Sequence, residues 1–182
     1  RLNVFGLVKP KLKHIAVKEA VLPFDRFPGV DTILSPEMRS TGEVMGLDTT
    51  FEKAFLKSQL AAGIQLPQNG KVFISIKDND KKKPIIKASQ ILSDLGFQIL
   101  ATKGTSKFLN NNGIRAETIN KVSEGRPNIV DLLKDTAVGL VFNTTEGHQS
   151  LEDSKEIRSI SLRKKIPYYT TSAGCNAAAR AC

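Results

Sequence analysis

From residue 71 onward the sequence alternates short apolar runs with amphipathic stretches, and this alternation limits the fold more than any other feature. "KVFISI" (71–76), "FQILA" (97–101), "RAETIN" (115–120), "AVGLVF" (137–142) and "PYYT" (167–170) read as strands. Between them, "PIIKASQILSDLG" (84–96), "GTSKFLNNNG" (104–113), "PNIVDLLKD" (127–135) and "SLEDSKEIRSISLRKK" (150–165) read as helices, and "AGCNAAARAC" (173–182) as a further one. Pro84 and Pro127 stand in first turns, where a missing N–H does no harm, and Gly96 and Gly113 close their helices. The helix at 150–165 places acids first and bases last, the order its dipole favours. Strands separated by helices predict an α/β fold: a five-stranded parallel, Rossmann-like sheet with helices on both faces. Right-handed crossovers bring every strand's C-terminal end to one edge, where ligands of such sheets bind, near the reversal of strand order.

Residues 1–67 follow a different grammar. "AVKEAVLPFDRFPGVD" (16–31) suggests a short strand and then a loop, because Pro23, Pro28 and Gly29 interrupt the apolar residues. "SPEMRSTGEVMG" (35–46) reads as an irregular link with a buried strand end. Thr49 and Glu52 have capping-box spacing, and Phe51, Phe55, Ser58 and Ala62 then share one face of a helix that Gly63 closes. "QLPQNG" (65–70) is a linker, so the chain divides into 1–67 and 68–182.

The strand ends carry a consistent chemistry. Asp80, Lys81 and Lys82 follow the first strand of the sheet, Thr102, Gly104 and Thr105 the second, Lys121 the third, and Asn143, Thr144 and Thr145 the fourth. Hydroxyls, an amide, lysines and a helix start together suit a phosphate, which takes hydrogen bonds from unsatisfied N–H groups and charge from lysine. Each loop has a plainer reading, as a helix cap or an Asx-type turn. Four loops of one edge agreeing favours anion binding. No carboxylate pair or histidine lies in these loops to move protons, so binding fits them better than catalysis. There is no P-loop and no Gly-x-Gly-x-x-Gly after a strand.

Composition narrows the classes further. With 182 residues, 40% of them hydrophobic, the chain can bury a substantial core. No apolar run approaches the roughly 20 residues of a membrane helix, so no membrane association is expected. No signal peptide is evident, and without an initiator Met the chain is expected to begin inside a longer polypeptide. Cys175 and Cys182 fit neither a zinc pattern nor a disulfide framework and read as reduced helix residues of a cytoplasmic protein. The net charge of +9 is compatible with nucleic acid, an anionic small ligand or an acidic subunit. The lysine clusters at 8–14 and 77–87 lack interleaved aromatics, which argues against a single-strand stacking platform and for no nucleic acid. Nucleic-acid binding and a plain oligomerisation module remain the alternatives to small-ligand binding.

With these residues in view, the chain resembles the C-terminal end of the large subunit of carbamoyl-phosphate synthase. The resemblance rests on "VKEAVLPFDRFPGVD", "PEMRSTGEVMG", "GFQILATKGT", "NKVSEGRPNIVD", "NTTEG", "EDSKEIR" and "PYYTT", in that order. It implies that 1–67 is the tail of the second ATP-grasp unit, a partial α+β element, and 68–182 a methylglyoxal-synthase-like regulatory domain. The implied parent is a ligase that makes carbamoyl phosphate from bicarbonate, glutamine-derived ammonia and two ATP, for arginine and pyrimidine synthesis. It would use ATP with Mg or Mn and a small glutaminase subunit. This segment would hold no cofactor or metal, and would be inactive alone.

For the regulatory domain, the resemblance implies an allosteric site for a nucleoside monophosphate such as UMP or IMP. The matching residues are Thr102, Thr105, Lys121, Asn143 and Thr145, with either Lys81 or Lys82 from the first loop. Relatives activated by N-acetylglutamate have Trp where Lys121 stands, which favours a nucleotide here. An ornithine site at Glu19, Tyr168 and Thr170 is also implied, although the residue between the last two is acidic in ornithine-responsive relatives and is Tyr169 here. Homo-oligomers through the regulatory domain are a further expectation. Methylglyoxal synthase itself has a Gly-Gly-Asp segment that this chain lacks, and the purine-synthesis cyclohydrolase has a Lys-Thr-Leu-His-Pro-type segment where "EGRPNIVD" stands.

Overall fold

β1 (Ile15–Val21) and β2 (Gly42–Asp48) pair antiparallel with Val17 opposite Gly46, and Gly46 is where a helix lies down on them. A β-carbon on Gly46 would fall 1.9 Å from the Ala54 carbonyl oxygen and 2.5 Å from the Ser58 nitrogen. Only the absence of a side chain lets α1 (Phe51–Ala61) approach so closely. This computed structural model describes residues 12–21, 42–135, 138–144 and 148–182. Pro23, Pro28 and Gly29 lie outside the described residues. The stretch expected to be an irregular link enters a strand at Gly42 that runs on to Asp48.

The helix cap also differs from expectation. Asp48 accepts both the N–H and the hydroxyl of Thr49, at 2.7 and 3.2 Å, so Thr49 is turned away from the helix. Thr50 becomes the cap and accepts from Lys53 N, while Glu52 pairs with Arg180 at the far end of the chain. Of the expected apolar face, Phe55 and Ser58 are buried, with Ala54 and Gln59 beside them, and Phe51 is half-buried.

The second unit is the predicted parallel sheet. Its strands are β3 (Lys71–Ser75), β4 (Gln98–Thr102), β5 (Ala116–Ile119), β6 (Val138–Asn143) and β7 (Tyr168–Tyr169). They lie in the order β5-β4-β3-β6-β7, all parallel. The chain winds outward from β3 to β5 and then crosses to β6 on the other side of β3, so strand order reverses between β3 and β6. The connecting helices are α2 (Lys83–Asp94), α3 (Lys103–Asn111), α4 (Ile129–Lys134) and α5 (His148–Arg163), followed by α6 (Ser172–Ala181). Pro84 sits in the first turn of α2 as predicted. Pro127 instead precedes α4, whose cap is Asn128. The Asn128 side chain accepts from Val130 N, and its N–H donates to the Asp131 carboxylate.

Strand alternation divides the core. Val72 and Ile74 of β3 and Leu140 and Phe142 of β6 face α2 and α6, joined there by Phe55 of α1. Phe73 and Val141 face the other way, against Ile129 and Leu133 of α4 and Ile157 and Ile160 of α5. Phe73 and Phe142 are almost completely buried, each contributing about 1.5–3 kcal/mol. Helices therefore cover both faces of the sheet, and the polar strand ends are left at its edge.

Candidate functional site

β4 and β6 run one residue beyond their apolar stretches, to Thr102 and Asn143, and those polar ends open into a cleft. The cleft has a volume of about 670 Å³ and lies at the C-terminal edge of β3, β4, β5 and β6, across the point where strand order reverses. That volume is in the range of small-molecule sites.

Lys81 reaches into the cleft and Lys82 does not. Lys82 is exposed and occupies the cap position of α2, without a side-chain capping bond. The Lys81 side chain is only 17% exposed and its ammonium is 2.6 Å from the Asp78 carboxylate. It lies beside α3, 3.2 Å from where a β-carbon on Gly104 would be. The cap residue Thr102 makes no side-chain bond to the first turn of α3, and Gly104 and Thr105 of that turn line the cleft. Lys121, exposed at the end of β5, joins the same lining. Lys81 first, and Lys121 after it, hold the Asp78 carboxyl below the usual carboxylate range.

The hydroxyls expected to bind phosphate make hydrogen bonds within the fold. Thr105 accepts from Ile76 N at 3.0 Å and donates to Ile76 O at 3.4 Å. Thr102 donates to Thr105 Oγ1 and, its one proton so used, accepts from Ser75 Oγ, each at 3.3 Å. These protons are spent on tying α3 and β4 to the end of β3. Asn143 likewise donates to Ser154 Oγ at 3.0 Å and to Tyr168 OH at 2.7 Å, which uses both amide protons. Thr102, Thr105 and Asn143 thus line the cleft and shape it, while Lys81 and Lys121 bring positive charge to the same lining. Thr145 lies outside the described residues.

Thr144, already among the strand-end residues that the sequence singled out, lines the cleft together with several residues that it did not. Thr144 accepts from Lys77 N and donates its own N–H to Ser75 O, pinning the β6 end to the β3 end. Phe73, Val122, Ile129 and Ile157 give the cleft an apolar wall. The one available signal was the acidic "DND" run just before the lysines, which contains Asp78.

Glu19, Tyr168 and Thr170 are not brought into one cluster. Glu19 Oε2 accepts from Gln59 Nε2 at 2.8 Å, and Gln59 Oε1 accepts from the Tyr169 hydroxyl at 2.9 Å. Tyr168 packs with the opposite sheet face and meets Asn143. Thr170 is exposed just past β7. Burial, with the nearby Cys182 thiol and the Glu19 carboxylate, raises the Tyr169 phenol above its ordinary value. Among the described residues, no group of three or more His, Cys, Asp or Glu could hold a metal ion, and no helix is long and apolar enough to cross a membrane.

Residues 84–170 match the MGS-like domain family. The chain is 58% identical over 170 residues to the carbamoyl phosphate synthase large chain of Rhizobium meliloti (strain 1021), covering 93% of this chain and 14% of that protein. It is 54% identical over 163 residues to the large chain of Myxococcus xanthus (strain DK1622), covering 90% and 15%. The large chain of Halomonas eurihalina is 50% identical over 176 residues, covering 94% and 16%. The chain therefore spans about one-seventh of the length of the curated relatives it matches. Residues 84–170 thus match the MGS-like domain family, and more than nine-tenths of the chain is similar to a stretch of a carbamoyl phosphate synthase large chain.

Proposed function

We propose that this chain is the allosteric end of a carbamoyl phosphate synthase large chain and that its cleft binds a nucleoside monophosphate such as UMP or IMP. Residues 68–182 are the effector domain, and 1–67 the tail of the ATP-grasp unit to which the signal is delivered. The observation that carries this reading is the position of Lys81. Its largely buried ammonium is held beside the uncapped start of α3, the positive end of the helix dipole. Cation next to positive pole is repulsive, and an anion placed between them converts repulsion into two attractions. Lys121 supplies a second charge, and the apolar wall of Phe73, Val122 and Ile157 accepts the nucleoside rings.

The parent's activity belongs to the same proposal: ATP- and Mg- or Mn-dependent synthesis of carbamoyl phosphate in the cytoplasm, with ammonia delivered by a small glutaminase subunit. The segment described here binds and signals without catalysing, and self-association runs through the effector domain.

Titration calorimetry of the chain with UMP and with IMP tests this reading. Binding that weakens at least about tenfold in Lys81→Ala and in Lys121→Ala is expected, each removing a charge-assisted contact of about 1.5–3 kcal/mol. Absence of heat with either nucleotide, or unchanged affinity in both variants, overturns it. Salt-sensitive retention of single-stranded RNA that free UMP cannot displace would instead favour a nucleic-acid surface.

A further inference from the structure

We propose that the Tyr168–Tyr169 pair of β7 is the mechanical link between the cleft and the β1–β2–α1 unit. This rests on the reading of the cleft as an effector site and adds the route by which occupancy is reported. Adjacent residues of a strand point to opposite faces, and each of these tyrosines ends in a hydrogen bond on its own side. Tyr168 OH accepts from Asn143 Nδ2, a cleft residue only 2% exposed. Tyr169 OH donates to Gln59 Oε1, and Gln59, also 2% exposed, donates to Glu19 of β1. The sequence of contacts from cleft wall to first strand is Asn143, Tyr168, Tyr169, Gln59, Glu19.

Two features make this pair a transmitter rather than a passive strut. Asn143 and Gln59 are buried, so a broken bond leaves an amide unsatisfied away from water, and the partners move together instead of parting. β7 is also the lightest-held strand of the sheet, two residues paired only to Val141 and Phe142 of β6. The Tyr169 ring lies edge-on to Phe142 at 6.0 Å and tilted against Phe55 at 6.5 Å, so a displacement of β7 presses on α1 as well as on Gln59. A ligand that favours one position of the Asn143 segment thereby favours one position of β1 and α1.

Amide hydrogen exchange of the full chain, with and without saturating UMP, tests the link. In the wild type, UMP is expected to slow exchange in 15–21 and 51–61 by about fivefold or more. Tyr169→Phe keeps the ring between Phe55 and Phe142 and removes only the hydroxyl; it is expected to bind UMP yet show no change at 15–21. Tyr168→Phe is expected to lose the same response, and the double variant to lose no more than either. If UMP does not bind the wild type, the effector reading falls and this inference with it. If UMP binds without altering 15–21, or if the response persists in both Phe variants, the effector reading stands and the link is overturned.

Discussion

The ammonium of Lys81 lies 3.2 Å from the β-carbon position of Gly104, so tight that a side chain there would displace it by a few tenths of an ångström. Gly104 lies in the first turn of α3, in ordinary helical backbone, so its value is the room it leaves. Gly104→Ala therefore keeps the fold, and gains slightly in helix propensity, while pushing the flexible lysine head away from the helix start. UMP affinity is expected to fall about three- to tenfold with the melting temperature unchanged or slightly higher. Calorimetry and a thermal melt on the same sample check both halves, and a loss of affinity accompanied by unfolding would sink the account.

Asp78 competes with the anion that Lys81 awaits. Its side chain is 94% exposed, so the ion pair contributes little to stability, yet the carboxylate contacts Lys81 and lies within electrostatic reach of Lys121. Asp78→Asn is expected to strengthen UMP binding about two- to fivefold and to leave urea denaturation unchanged, an effect that shrinks as salt is raised. Weaker binding in this variant would mean that the carboxylate assists the ligand.

Much of this architecture is written in local chemistry, and the site less so. Pro84 and Gly96 bracket α2, and runs such as Val72–Ile74 announce buried strands, because those signals depend on neighbours in sequence. Thr102 and Asn143 are recognisable as polar strand ends for the same reason. Where their protons go is not local: Thr105 is claimed by Ile76, 29 residues away, and Asn143 by Tyr168, 25 residues away. The choice between Lys81 and Lys82 also depended on the turn at Asp78–Asp80, which sends one lysine into the cleft and leaves the other at the head of α2. The spacing to Glu52 points to Thr49 as the cap of α1, and the bonds from Thr49 to Asp48 leave that role to Thr50.

Thr105 provides a direct check on structural against ligand-binding roles. Its hydroxyl is buried, and Thr105→Val leaves both Ile76 N and Ile76 O without that partner. A loss of about 1–3 kcal/mol is expected, read as a lower urea midpoint with unchanged slope. Phosphate-ligand behaviour would give the reverse pattern, normal stability with weakened UMP binding.

Asp48 links the hairpin to α1 and makes that junction acid-sensitive. A hydrogen bond from Lys57 and one from the Thr49 N–H bring its carboxyl down from 3.8 to about 2. A carboxyl lowered in the fold stabilises it at every pH above the unfolded value and loses that contribution as pH falls through the folded one. The stabilisation is therefore complete above about pH 5 and declines from near pH 4 towards 2. Asp48→Asn should flatten the acid limb of the α1 melting profile over that window, and a parallel, merely displaced limb would exclude Asp48 as its source.

Gly46→Ala tests whether the N-terminal unit holds together through one close approach. Its β-carbon would meet backbone atoms of α1, at Ala54 and Ser58, which cannot rotate aside as a side chain can. The helix must lift from the strands, at a cost of about 1–3 kcal/mol or more. Because Phe55 also packs in the core shared with α2 and α6, the lift should loosen that side of the sheet while leaving the α4–α5 face, built on Phe73 and Val141, intact. Limited proteolysis should cut first near 49–62 in the variant, and exchange should quicken in α1 and α6 but not in α4. Uniform loosening of both faces would show that the two cores unfold as one and that Gly46 has no local role.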